Sequence, residues 1–176
     1  MTDVMIDLET LGTSPQTVVL SIGACFFCPE KKLIGPKFYR KLDIQEQLRY
    51  NRKIDADTLK WWMNQSDAAK KVFSENAKPV SEVLTSFVDW FLGNNEAKQK
   101  GTFIWGNGST FDVVIIEDLL KMYGIEIPWQ FYNIMDLRTF KRFCANNEKL
   151  EKSGVNHNAL DDATSQSAYV IKHLKK

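Results

Sequence analysis

Apolar positions in the first quarter of the chain fall in short runs separated by turn-forming patches. Val4-Met5-Ile6 is a brief apolar run that ends on carboxylates, and Val18 to Phe27 is an almost unbroken apolar stretch of strand length. Such a stretch suits a strand covered on both faces. Gly12-Thr13-Ser14-Pro15 reads as a turn, the segment from Pro29 to Pro36 as another, and Lys37 to Leu42 alternates like a third strand. The opening therefore predicts a three-stranded antiparallel meander.

The period then changes from two to three or four. A helix is predicted from about Asp55 to Asn64, carrying Leu59, Trp61, Trp62 and Met63, with a second short helix from Ala68 to Phe73. Pro79 stands where a helix begins, Val83, Leu84, Phe87, Val88 and Phe91 form its apolar stripe, and Gly93-Asn94-Asn95 ends it. Thr102 to Trp105 reads as a strand, and Gly106 to Ser109 turns the chain into a helix with Val113, Ile116, Leu119, Leu120 and Tyr123, closed by Gly124. Tyr132 to Met135 reads as extended, Leu137 to Cys144 as helical and Ala145 to Val155 as a polar loop. Asn158 then caps a helix from Ala159 to Leu174. Three strands followed by alternating strand and helix predict an α/β fold. Its mixed sheet is the antiparallel meander extended by parallel strands, flanked by helices. No repeat or linker divides the chain, so residues 1–176 are expected to form one domain.

With 44% hydrophobic and 26% charged residues, the chain has the composition of a folded soluble protein, which argues against disorder. Lys and Arg number 23 against 22 Asp and Glu, so any nucleic-acid site has to come from local clustering. Cys25 and Cys28 form a C-x-x-C inside the apolar run, and no second pair completes a zinc site. Buried free thiols in a reducing compartment are expected. Asp3, Asp7 and Glu9 interrupt the start, so no signal peptide is expected. No apolar stretch is long enough for a bilayer. A cytoplasmic protein without a membrane partner follows as an expectation.

Candidate chemistry is concentrated at the predicted junctions. Asp7 and Glu9, two apart on a strand, project to one face at its end. Two anions so close repel unless a cation lies between them, though a pair of solvated turn carboxylates fits equally well. Asp112 opens a predicted helix, where an acid is also an ordinary dipole partner. His157 precedes the cap Asn158, and Asp161 and Asp162 lie in the first turn, again a common helix start. Together they place acids at strand ends and helix starts, where α/β sheets present active sites. Hard oxygen ligands suit Mg²⁺ or Mn²⁺, and two such ions can clamp a phosphodiester. His157, ordinarily titrating near pH 6.5, could accept a proton from water.

Ile6-Asp7-Leu8-Glu9-Thr10-Leu11-Gly12, Phe111-Asp112 and His157-x-Ala159-x-x-Asp162 resemble, in order, the three motifs of the DEDDh 3′-5′ exonuclease superfamily. The motifs span nearly the whole chain. The resemblance implies an RNase H-like fold and a 3′-5′ exonuclease that uses two Mg²⁺ or Mn²⁺ ions. It implies that Asp7, Glu9, Asp112 and Asp162 bind metal and that His157 is the general base. One departure stands out: many members read Gly-His-Asn before Phe-Asp, where this chain has Gly106-Asn107-Gly108. Ile54 to Trp62, Trp105 to Gly108 and Met135 to Thr139 look like the branch that contains RNase AS and phage exonuclease A. Members of that branch act on RNA or DNA, and several are homodimers. Single-stranded RNA or DNA 3′ ends are therefore the expected substrate, and a homodimer is possible. The rival readings are a non-catalytic nucleic-acid-binding adaptor and a proofreading subunit on the same fold.

By the same resemblance, Thr10, Leu11 and Gly12 contact the terminal nucleotide, with Leu11 as a wedge under its base. Asn107 and Phe111 are further candidate contacts, although a Phe at a helix start is more often core. Trp61 and Trp62 point about 100° apart on a helix, so at most one is fully inward. Trp62 is the candidate for the cleft, with partial burial or a dimer contact as the rival. Arg138, Lys141 and Arg142 share a helix face, and Arg138 is the candidate phosphate contact. Arg49, Arg52 and Lys53 form another basic group, and Lys172, Lys175 and Lys176 a third. A solvated face explains each group as well.

Overall fold

The computed structural model describes residues 1–74, 76–94, 101–144 and 148–174. Its centre is a five-stranded sheet in the order β3-β2-β1-β4-β5. The strands are β1 (Asp3–Thr10), β2 (Val19–Cys28), β3 (Leu33–Lys41), β4 (Phe103–Gly106) and β5 (Ile134–Asp136). β1, β2 and β3 pair antiparallel, and β4 and β5 add in parallel beside β1. This is the mixed sheet that the pattern of the sequence predicts. Its helices are α1 (Ile44–Arg49), α2 (Ala56–Met63), α3 (Asp67–Lys70), α4 (Val80–Gly93), α5 (Asp112–Met122), α6 (Leu137–Cys144) and α7 (Ala159–His173).

Several boundaries move, each for a reason found in pairing. β1 runs well past the apolar run at residues 4–6, because β2 pairs with it all the way to Thr10. The turn expected from Pro29 to Pro36 is shorter, and β3 already begins at Leu33. Gly35 and Pro36 fall where the β2–β3 register shifts. A proline lacks a ladder donor and is tolerated there because β3 is an edge strand. Tyr132 lies in a 3₁₀ turn (Phe131–Asn133), not in the strand that follows it. Helix α1 has no counterpart in the sequence reading. It is six residues long and polar, and its Gln47 points inward. There the Gln47 amide accepts from the Val19 N–H and donates to the Val19 carbonyl, both at 2.8 Å, as a neighbouring strand would.

Strand alternation sorts side chains to two faces. Val4, Ile6, Ile22, Ala24 and Phe26 join α4 and α5 in the larger core, while Met5, Cys25, Phe27 and Trp105 pack under α6 and α7. Cys25 and Cys28 are buried free thiols as expected; Cys144 is exposed. A third cluster of Leu11, Val18, Leu20, Trp62, Ala69 and Val72 lies under α2 and α3. Among the described residues no helix is long and apolar enough to cross a membrane.

One approach decides where α7 sits. A Cβ on Gly23 would lie 2.1 Å from the Ala159 backbone carbon, so only glycine admits the helix start this close to the sheet. Gly23 pairs with Asp7 on β1. The opening of α7 is therefore set directly over the carboxylate-bearing end of that strand.

Candidate active site

Asp7 and Glu9 alternate with Ile6 and Leu8, so their carboxylates face α7 while the apolar pair enters the larger core. From α7, Gln166 donates to Asp7 Oδ1 at 2.7 Å. Asp112 reaches in from the first residue of α5, where the backbone N–H of Leu8 donates to its Oδ1 at 3.1 Å. Asp162 accepts the His157 N–H on Oδ2 at 3.2 Å, and Lys152 lies 2.9 Å from its Oδ1. One ligand atom each from Glu9, His157 and Asp162 lie within 4.8 Å of one another, a set of the size that holds a metal ion. Asp7 and Asp112 adjoin that set and are tied to it by charge. The structure thus gathers all four acids and the histidine of the sequence motifs.

The electrostatics are those of buried carboxyls crowded together, each disfavouring the charge of the next. Burial pushes the Asp7 carboxyl well above its ordinary range, and the charges of Asp112, Glu9 and Asp162 push it further. Glu9 rises to about 8, first through burial and then through Asp162, with Lys152 opposing. Asp112 rises to about 7 through burial, against donation from backbone N–H groups and the nearby Arg138 charge. His157 is shifted the other way: burial, then Lys152, lower it. It is therefore neutral at neutral pH and able to accept a proton.

These shifts have a consequence for stability without metal. An acid whose pKa is higher in the folded state keeps its proton after the unfolded chain has lost it, so stability falls as pH rises through that interval. For Glu9 the interval runs from 4.5 to about 8, and for Asp112 from 3.8 to about 7. In EDTA the melting temperature is expected to fall as pH rises from mildly acidic to pH 8, and saturating Mn²⁺ to remove that slope. A metal-free protein that is more stable at pH 8 than at mildly acidic pH would contradict this electrostatic picture.

The acids lie in a cleft of about 1550 Å³. Thr10, Gly12, Asn107, Phe111 and Arg138, candidates for substrate contact in the sequence, line it. The Thr10 hydroxyl is buried and donates to the Gly12 carbonyl at 2.7 Å, so it shapes the turn as much as the wall. Leu11, the candidate wedge, is only 3% exposed and does not line the cleft. Its side chain is buried in the third core cluster, because the strand has turned by that point. Trp62 borders the cleft but is only 2% exposed, and its indole N–H donates to the Thr10 carbonyl at 2.8 Å. The ring that offers surface is Trp61, 42% exposed and packed edge-to-face on His157 at 4.7 Å. Only one of the two can be fully inward, and the third core cluster took Trp62.

Among the basic groups, Arg138 and Lys141 face the cleft. Arg52 is buried and holds the carbonyls of Pro15 and Thr17 together with Asp118, so it braces the loop after β1. Lys172 pairs with Glu148 at 2.7 Å, and Lys175 and Lys176 lie outside the described residues. Gln166 and Lys152 were not read from the sequence. Gln166 follows Asp162 by four on one helix and so shares its face, a signal that was available. Lys152 sits in the polar loop, where local pattern carries none. Asp161, beside Asp162, instead accepts the Val155 N–H at 2.8 Å and fastens that loop.

Comparison with known proteins agrees with this geometry. The family model described as the 3′-5′ exoribonuclease Rv2179c-like domain matches residues 2–174. An exodeoxyribonuclease of Enterobacteria phage T4 is 27% identical over 161 residues, which cover 79% of this chain and 70% of the phage protein. Among solved structures, the rAMP-bound nuclease domain of 3′hExo, a DEDDh family member, matches with a TM-score of 0.64 at 14% identity. That match covers 97% of this chain and 91% of the other. Apo exonuclease I matches with a TM-score of 0.68 at 14% identity, over 97% of this chain and 42% of its own. At such identities the two structures speak for the fold, an RNase H-like exonuclease sheet.

Proposed function

Because the chain belongs to the 3′-5′ exoribonuclease Rv2179c-like domain family, within the DEDDh exonucleases, it is a 3′-5′ exonuclease, and we propose that it shortens single-stranded RNA or DNA with two divalent ions and a histidine base. The observation that carries this reading is the gathering of Asp7, Glu9, Asp112 and Asp162, three of them with raised pKa, around a neutral His157. The donor set is hard oxygen, which fits Mg²⁺ or Mn²⁺. Asp7, Glu9, Asp112 and Asp162 would hold the ions. Bound there, the ions would supply Lewis acidity, making water a better nucleophile and neutralising charge on the leaving oxygen.

The remaining work falls to the chain's own side chains. His157 takes the proton of the attacking water, and Trp61, packed on its ring, keeps that ring in place. Lys152 pairs with Asp162, whose second oxygen fixes the His157 backbone. That backbone has a φ of 62°, a left-handed conformation that a non-glycine residue keeps only when held. Arg138 and Lys141 supply positive charge for the strand's phosphates, and Phe111 and Trp61 supply faces on which terminal bases stack.

Digestion of 5′-labelled single strands in Mn²⁺ tests the reading. A ladder that shortens from the 3′ end and stops with EDTA is expected, and matched RNA and DNA strands identify the preferred sugar. Binding of the strand without shortening would favour an adaptor and end the proposal.

A further inference from the structure

Residues 148–157 form a strap that lines part of the cleft and is fastened to α7 at both ends. At one end the Tyr169 hydroxyl donates to the Glu148 carbonyl at 2.5 Å, and Lys172 pairs with the Glu148 carboxylate at 2.7 Å. At the other, the Ser153 N–H donates to Ser165 Oγ at 3.0 Å and the Val155 N–H to Asp161 at 2.8 Å. Gly154, with a φ of 84°, lets the Asp161 carboxylate lie where a Cβ would stand. Lys152 lies between these anchors, so the backbone aims it.

Its ammonium lies 2.9 Å from Asp162 Oδ1. The other oxygen of that carboxylate is committed to the His157 N–H. The Asp162 side chain is 9% exposed and that of Lys152 45%, so the strap brings a half-exposed cation onto a nearly buried anion. Electrostatically the same charge is felt by Glu9 and by His157.

We propose that the Lys152 ammonium is the acid cluster's built-in counter-ion, and that a divalent ion bound through Asp162 has to displace it. The inference rests on the reading above that Asp162 ligates metal. A metal that takes Oδ1 of Asp162 meets the ammonium there, while the Oδ2 side is already narrowed by the His157 N–H. A dication and an ammonium sharing one oxygen repel each other, so both do not stay at full strength. The flexible four-carbon stem of lysine lets the ammonium swing away while the anchored strap stays in place. The ion pair thus lowers divalent affinity below what the carboxylates alone would reach. In exchange it relieves the mutual repulsion of the acids.

Calorimetric titration of the whole chain with Mn²⁺, without substrate, decides the matter for wild type, Lys152→Met and Lys152→Arg. Lys152→Met should bind Mn²⁺ about two- to fivefold tighter, the gain from removing one half-exposed competitor. Lys152→Arg keeps the charge and should bind with wild-type affinity. A lysine that merely braced the strap would give the opposite sign, because a loosened site binds metal less well. Equal or weaker Mn²⁺ affinity in Lys152→Met would overturn the proposal. Failure of wild type and variant alike to bind Mn²⁺ would instead remove the metal site beneath it.

Discussion

Asp162→Asn is expected to fold like the wild type and to turn over about 10²- to 10³-fold more slowly, as when a group that stabilises transition-state charge is removed. The substitution keeps the volume, and it keeps one oxygen to accept the His157 N–H. It loses the pairing with Lys152, which is half exposed and so contributes about 1 kcal/mol or less. The melting temperature should therefore stay close to wild type. What disappears is an anionic oxygen in the set shared with Glu9 and His157. Turnover is best measured at saturating substrate and saturating Mn²⁺, so that weakened metal binding does not disguise the loss. Near-wild-type turnover under those conditions would remove Asp162 from the catalytic set.

His157→Gln is expected to lower turnover by about 10²- to 10⁴-fold, the usual contribution of a positioned general base. An amide cannot take the water's proton near neutral pH. In the wild type, burial and the Lys152 charge lower the histidine's pKa below its ordinary 6.5, so the acid limb of kcat/KM should lie below that value. The variant should lose this limb. Its Mn²⁺ affinity should match the wild type, although a His157 nitrogen lies within ligand range of Glu9 and Asp162. Loss of Mn²⁺ affinity in step with activity would make His157 a ligand and not the base.

The candidate site was legible to the extent that its chemistry sits at element ends. Asp7 and Glu9 close a strand, Asp112 opens α5, and His157 and Asp162 flank the start of α7. Periodicity and capping reveal such junctions, because they depend on neighbours within a few residues. The basic residues were less legible. Arg52 and Arg138 look alike along the chain, yet one is buried against backbone carbonyls and the other faces the cleft. The polar helix α1 escaped because it has no apolar stripe and turns Gln47 inward onto Val19 of a distant strand, although Asp43, capping the Glu46 N–H, was a local start signal.

Alone, the amino-acid order determined the alternation of strands and helices, the caps, and the five candidate side chains at the junctions, all properties of short-range geometry. Long-range packing decided the rest. The bare Cα of Gly23 let α7 settle over β1, competition for one core pocket took Trp62 inside and left Trp61 beside His157, and the turn after β1 buried Leu11. Lys152 reached Asp162 only because a strap anchored on α7 carried it there. Each of these outcomes depends on which surfaces meet when distant segments pack, and that information is spread over the whole chain.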